Sequence, residues 1–177
     1  MWKPMAFVIA GLLVSQASPA QVPVGSPFLV SSYSTDDQLA PEIAMDADGD
    51  FVVVWQSYGS DTGDTSDWSV QARRYSSDGN ALGSQFQVNT HTTGAQRNPA
   101  IAMGSDGDFF VVWTNASINS VEGRRYSADG NEQGSPFQVS SPDLNEGTQF
   151  GARVGVDSNG NHVVIWRSEV GSRVFVY

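Results

Sequence analysis

The 177 residues include no cysteine, a single lysine and two histidines. Without cysteine there is no disulfide framework, no thiolate metal site, no cysteine nucleophile and no lipid-modified cysteine at a processed N-terminus. The one lysine, Lys3, falls in a segment expected to be removed, so 8 arginines (9 basic residues less Lys3) face 19 acidic ones. That balance argues against nucleic acid or an anionic membrane surface as partner, and is compatible with cations, neutral glycans or basic protein surfaces. The histidines, His91 and His162, stand in no triad-like arrangement, and neither Gly-x-Ser-x-Gly nor His-Glu-x-x-His occurs. Long apolar runs are also missing: Met5 to Val14 is the longest near the N-terminus, about half the ~20 residues that a spanning helix needs.

What is present starts with a weakly basic Met1-Trp2-Lys3, that apolar run, and the small residues of Ser18-Pro19-Ala20. This pattern reads as a secretory signal peptide over 1–20, cleaved after Ala20. The expectation is a secreted or cell-surface chain, 21–177, with no membrane insertion after cleavage.

The remainder repeats. Asp46-Ala47-Asp48-Gly49-Asp50-Phe51-Val52-Val53-Val54-Trp55 returns as Gly104-Ser105-Asp106-Gly107-Asp108-Phe109-Phe110-Val111-Val112-Trp113, and again as Asp157-Ser158-Asn159-Gly160-Asn161-His162-Val163-Val164-Ile165-Trp166. Gly-Ser pairs at 25, 83 and 134 open each copy, so the period is 58 residues and then 51. The seven extra residues all fall between Trp and Tyr, which are 20 apart in the first copy (Trp55 to Tyr75) and 13 in the second (Trp113 to Tyr126). Units 25–82, 83–133 and 134–177, the last incomplete, follow from this period. On the same matching, Ser172 to Tyr177 answers Val70 to Tyr75 and Val121 to Tyr126.

Each unit reads as four strands: Phe-x-Val, Pro-x-Ile-Ala-Met, the Trp strand, and Arg-Arg-Tyr. Val, Ile, Phe, Trp and Tyr cluster in short runs bounded by Gly, Asp, Asn and Ser, and no helical apolar stripe occurs after the signal segment. Asp78-Gly79-Asn80 and Asp129-Gly130-Asn131 join the Arg-Arg-Tyr strand to the next Phe-x-Val strand as hairpin turns. The Trp strand is apolar at every position instead of alternating, so both faces of its sheet should be covered. Tandem four-stranded antiparallel sheets covered on both faces describe β-propeller-like blades in an all-β fold. A β-sandwich is the alternative, but it predicts alternation. Three units fall short of the four to eight blades of a closed ring. The apolar Val174–Tyr177 strand leaves an edge open, and the expectation is either self-association, with a second copy covering the edges, or a fragment of a longer repeat protein.

These units resemble the tandem repeats of about 50 residues in large bacterial secreted and cell-surface proteins, which run Pro-x-Ile/Val-Ala, then an acidic turn and Phe-Val-Val-Val-Trp, then Arg-Tyr and Asp-Gly. Such repeats accompany haemolysin-type calcium-binding and adhesin-like modules. The resemblance covers 25–177 and implies an extracellular structural or binding role, with no catalytic motif to carry over. The third unit departs from it at Ala152, Asn159, Asn161, His162 and Phe175-Val176.

Two sets of residues invite a functional reading. Asp46, Asp48 and Asp50 stand at positions 1, 3 and 5 of an EF-hand-like loop, with Asp106, Asp108 and Asp157 in the other copies, and hard cations such as calcium take such oxygen ligands. The loop then fails, because Phe51 replaces the required Gly and Ser57 the bidentate Glu. Hairpin turns that use Asp for its local backbone bonds explain the same residues. No cofactor is therefore expected, with calcium the one candidate. The second set is Tyr58 and Trp68 in the long first loop, aromatic rings beside carboxylates that suit a glycan or protein ligand. Taken together, the residues predict a non-catalytic secreted or cell-surface module, not an enzyme. The alternative is a fragment of a sialidase-like propeller glycoside hydrolase, although Gly49 to Trp55 is too long a spacing for an Asp-box.

Overall fold

The computed structural model describes residues 26–33, 35–60, 64, 67–140 and 147–177. The signal segment expected over 1–20 lies outside the described residues. Among the described residues, eleven strands and no helix form three antiparallel sheets. The first contains β1 (Gln38–Met45), β2 (Phe51–Tyr58), β3 (Trp68–Tyr75) and β4 (Phe86–Gln87), hydrogen-bonded in chain order. The second repeats that order with β5 (Gln96–Met103), β6 (Phe109–Asn115), β7 (Ser120–Tyr126) and β8 (Phe137–Gln138). The third has β9 (Thr148–Val156), β10 (His162–Val170) and β11 (Arg173–Val176). The sheets stack first on second and second on third. The expected all-β, blade-like architecture is what the chain adopts, as three open sheets and not a closed ring.

The unbroken apolar run of each Trp strand has a direct cause in this stacking. Val52 and Val54 of β2 pack with Phe109, Val111 and Trp113 of β6 between the first two blades. The alternate β6 residues, Phe110 and Val112, turn the other way and meet Ala152, Val154, Val164 and Trp166 of the third blade. One strand therefore serves two cores, and burying each Val or Phe contributes roughly 1.5–3 kcal/mol. In β10 the pattern breaks: Val164 and Trp166 face the second blade, while Val163 and Ile165 are 67% and 48% exposed.

Local chemistry sets the turns and bends. At Asp46 the carboxylate Oδ1 accepts the N–H groups of Asp48 and Asp50, and Gly49 takes a φ of 88° that lets the chain reverse. Asp50 Oδ1 then accepts the Ser77 N–H, and Asp108 Oδ1 accepts that of Ala128, so the acidic turn and the Asp-Gly turn of a blade sit side by side. A register shift interrupts β1 against β2 between Leu39 and Glu42, and another interrupts β5 against β6 between Arg97 and Ala100. Each holds a residue at positive φ before proline, Ala40 at 50° and Asn98 at 52°. Gly151, at 63°, takes that place in β9.

Two expectations change. The hydrogen-bonded sheet runs one strand out of phase with the sequence period, because Phe86-Gln87 pairs with Gln71 and Ala72 of the preceding unit. The Phe-x-Val segment is thus the outer strand of one blade while its side chains pack on the next, as Phe86 does on Tyr126 at 5.5 Å. The matching of Tyr177 to Tyr75 and Tyr126 is also wrong. Tyr75 lies opposite Phe51 and Tyr126 opposite Phe109, at the start of the Trp strand. Tyr177 instead exchanges both backbone hydrogen bonds with Trp166, at 3.0 and 3.2 Å. The strand pairing places Val176, opposite Arg167, where Val70 and Val121 stand opposite Gln56 and Thr114.

Candidate functional site

Tyr58 and Trp68, expected in the long first loop, instead end β2 and open β3. They are opposite one another at the end of the β2–β3 ladder, with ring centroids 5.3 Å apart and planes at 61°. Such edge-on pairs are worth about 0.5–1.5 kcal/mol beyond area burial. Tyr58 is 44% exposed and Trp68 half-buried. Two residues complete the corner that sequence reasoning did not single out. Arg97, from β5 of the next blade, places its guanidinium 5.8 Å from the Trp68 ring centre and 3.9 Å from the Asp67 carboxylate. Both partners of that ion pair are partly exposed, so its net worth is at most about 1 kcal/mol and Arg97 remains usable by a ligand. No sequence signal links Arg97 to Trp68, because the stacking of one blade on another brings them together.

The acidic turns are arranged differently from a cation site. Asp106 Oδ1 accepts the Asp108 N–H at 3.3 Å, and Asp157 Oδ1 accepts those of Asn159 and Asn161 at 2.8 and 2.9 Å. Asp157 Oδ2 takes the Asn161 side-chain amide as well, and these bonds, the amide first, hold its carboxyl below the usual carboxylate range. Among the described residues, no three His, Asp or Glu side chains converge on a position where a metal could sit. The turn carboxylates, Asp46, Asp48, Asp50, Asp106, Asp108 and Asp157, thus belong to three separate turns, and the first of each turn is engaged by its own backbone.

Between the second and third blades these turns border a cleft of about 380 Å³, lined by Asp106, Asp108, Arg125, Gln133, Asn161 and His162. Arg125 lies over the Phe110 and Phe137 rings at 5.5 and 5.2 Å. His162 packs edge-on against Phe110 at 5.1 Å. Burial, and secondarily the Arg125 charge, push the His162 pKa down, against a smaller opposing pull from Asp157. The cleft therefore offers one cation, one neutral imidazole and two carboxylates. The corresponding space between the first and second blades is about 140 Å³. There Arg74 is drawn across the joint to the Asp129 carbonyl, and Gly107 abuts Asp46. Of the two Arg pairs, Arg73 lies over the Tyr75 ring and Arg124 over that of Tyr126, at 5.6 and 5.7 Å. The ion pair of Arg124 is with Glu132.

No protein-family model matches this chain, and no curated protein matches it. Solved structures do. The endo-arabinase from Bacteroides thetaiotaomicron VPI-5482 superposes with a TM-score of 0.51 at 15% identity, over 85% of this chain and 60% of that one. The alpha-L-arabinofuranosidase from Lactobacillus brevis gives 0.49 at 11% identity, over 75% of this chain and 46% of that one. This chain spans less than two thirds of either. The likeness to the endo-arabinase is one of fold, and it supports blade-like units. It also corrects the expectation that the chain is not an enzyme. That expectation rested on the lack of a recognisable catalytic motif, whereas the endo-arabinase, an enzyme by its name, is built on this fold.

Proposed function

We propose that this chain is a secreted or cell-surface β-repeat module, of the kind its repeats resemble, that binds a glycan at the Tyr58–Trp68 corner. The observation that carries this reading is the grouping of Tyr58, Trp68, Asp67 and Arg97 where two blades meet. Aromatic faces take the apolar face of a sugar ring, while a carboxylate and a guanidinium orient its hydroxyls. The net charge of −10 favours neutral or basic ligands over polyanions. A glycan array probed with the wild-type chain and with Trp68→Ala tests it: binding that falls at least tenfold in the variant is expected, and equal binding by both removes the idea.

A second reading is a propeller glycoside hydrolase of which this chain carries three blades. Its support is the cleft of Asp106, Asp108, Arg125 and His162; the first joint repeats two turn carboxylates and an arginine as Asp46, Asp50 and Arg74, and His162 is the member with no counterpart there. Release of reducing sugar from arabinan or a panel of plant polysaccharides by the purified chain is the measurement. A rate indistinguishable from buffer across the panel would count against it.

A further inference from the structure

The sequence puts glycine directly after asparagine in one place, Asn159-Gly160, and the fold sets that pair at the tip of the β9–β10 hairpin. Ring closure between an asparagine side chain and the next backbone nitrogen needs an electrophilic amide carbon, an unhindered nitrogen and access to water. Glycine meets the second need, because no Cβ crowds its nitrogen. Asn159 and Gly160 are both exposed, which meets the third. That exposure belongs to the turn itself, since Asp48 and Asp106, which hold the same place in the other two acidic turns, are exposed as well. Asp-Gly pairs at 48, 78, 106 and 129 share the backbone, all five glycines lying at φ between 78° and 88°. An ionised carboxylate is a poor electrophile, however, so Asn159 is the reactive member of the set.

Asp157 controls whether the two groups can meet. Its Oδ1 accepts the N–H groups of Asn159 and Asn161 at 2.8 and 2.9 Å, and its Oδ2 takes the Asn161 side-chain amide at 2.8 Å. Its carbonyl accepts the Gly160 N–H at 3.1 Å. For the Gly160 nitrogen to reach Asn159 Cγ, it must leave that carbonyl while its peptide plane rotates. The planes on either side are the ones that Oδ1 fixes. Because the same hydrogen bonds hold the Asp157 carboxyl below the usual carboxylate range, it stays ionised under the mildly alkaline conditions that favour loss of the Gly160 proton.

We infer that Asn159-Gly160 is a self-modification site, deamidating without an enzyme at a rate restrained by the hydrogen bonds of Asp157. The Gly160 nitrogen gives its proton to a solvent base and bonds to Asn159 Cγ; the Cγ–N bond of the amide breaks, and its nitrogen leaves as ammonia with a proton from water. A second water opens the succinimide ring at either carbonyl, giving aspartate or isoaspartate. Aspartate restores at 157–160 the Asp-x-Asp-Gly of Asp46 to Gly49, and adds a negative charge beside Asn161 and His162 on the rim of the cleft. Isoaspartate puts an extra methylene into the main chain just beyond Val156 and His162, the pair that begins the β9–β10 ladder. Either product changes this rim with the age of the chain.

Peptide mapping by mass spectrometry tests this on the purified full chain held at mildly alkaline pH, beside a synthetic peptide of residues 154–167, the fragment trypsin releases between Arg153 and Arg167. The amide-to-acid mass gain is expected at Asn159, as a mixture of aspartate and isoaspartate, and more slowly in the chain than in the peptide. Asp157→Ala should speed conversion in the chain by roughly fivefold or more while leaving the peptide's rate unchanged. Asp157→Asn keeps an acceptor oxygen without the charge and should fall between, which keeps the test open if the alanine variant does not fold. An unmodified Asn159 in the chain once the peptide has converted, equal rates in chain and peptide, or no acceleration in either folded Asp157 variant would each overturn the inference.

Discussion

Tyr177 lies opposite Trp166, exchanging both backbone hydrogen bonds with it and stacking ring on ring at 5.8 Å and 18°. The residues opposite Trp55 and Trp113 are Gln71 and Glu122. A tyrosine has therefore moved from the start of the Trp strand to its indole end. The pair Phe51–Tyr75, stacked at 5.1 Å, and the pair Phe109–Tyr126, stacked at 4.8 Å, have no counterpart at His162. Residues His162 to Ile165 of β10 consequently pair with β9 alone among the described strands.

That substitution at the start of β10 predicts a pH dependence. His162 is pushed below the ordinary histidine value of 6.5, chiefly by burial, so the folded state resists the proton that the unfolded chain accepts. Its contribution is complete above that ordinary value and is lost as pH falls through the lowered one. The urea midpoint is expected to fall as pH drops below about 6.5. Replacing His162 by Phe, the residue at the matching positions 51 and 109, should abolish that slope and raise stability by about 1 kcal/mol through stacking on Phe110. Asp157, with its lowered pKa, adds its own loss only at more acid pH. An unchanged slope in His162→Phe would show that the histidine is not its source.

The bulge before Pro41 predicts a stabilising change. Ala40 is held at φ 50°, a region that costs an L-residue with a Cβ about 1 kcal/mol or more, whereas Gly151 fills the matching place in β9 without that cost. Ala40→Gly removes the strain and adds some unfolded-state entropy, for a net gain of about 0.5 kcal/mol. Asn98→Ala, at the same place in β5, should lose a similar amount. Chemical denaturation of the two variants checks both signs.

Chelation should leave the melting temperature unchanged within about a degree, since selective binding to the native state is what would raise it. The reason is that Asp46, Asp106 and Asp157 already spend a carboxylate oxygen on their own turns. A drop of several degrees on adding EDTA, restored by calcium, would show that the turns bind metal despite that engagement.

Much of the blade was legible in the sequence because its determinants are local. Asp-Gly turns, the runs of β-branched and aromatic residues, and the three returns of the Trp strand specify strands and hairpins within a span of a few residues. The unbroken apolar run at Phe51–Trp55 also implied cover on both faces, since alternation is what a half-buried strand requires. Tertiary structure alone decided the rest. Phe86 pairs with one blade and packs on the next, which a linear period cannot distinguish. Tyr177 took a register set by pairing with Trp166 and not by its likeness to Tyr75. Arg97 beside Trp68, and Arg125 beside His162, depend on how one sheet lies on another, and side-chain packing between sheets leaves no fixed spacing along the chain.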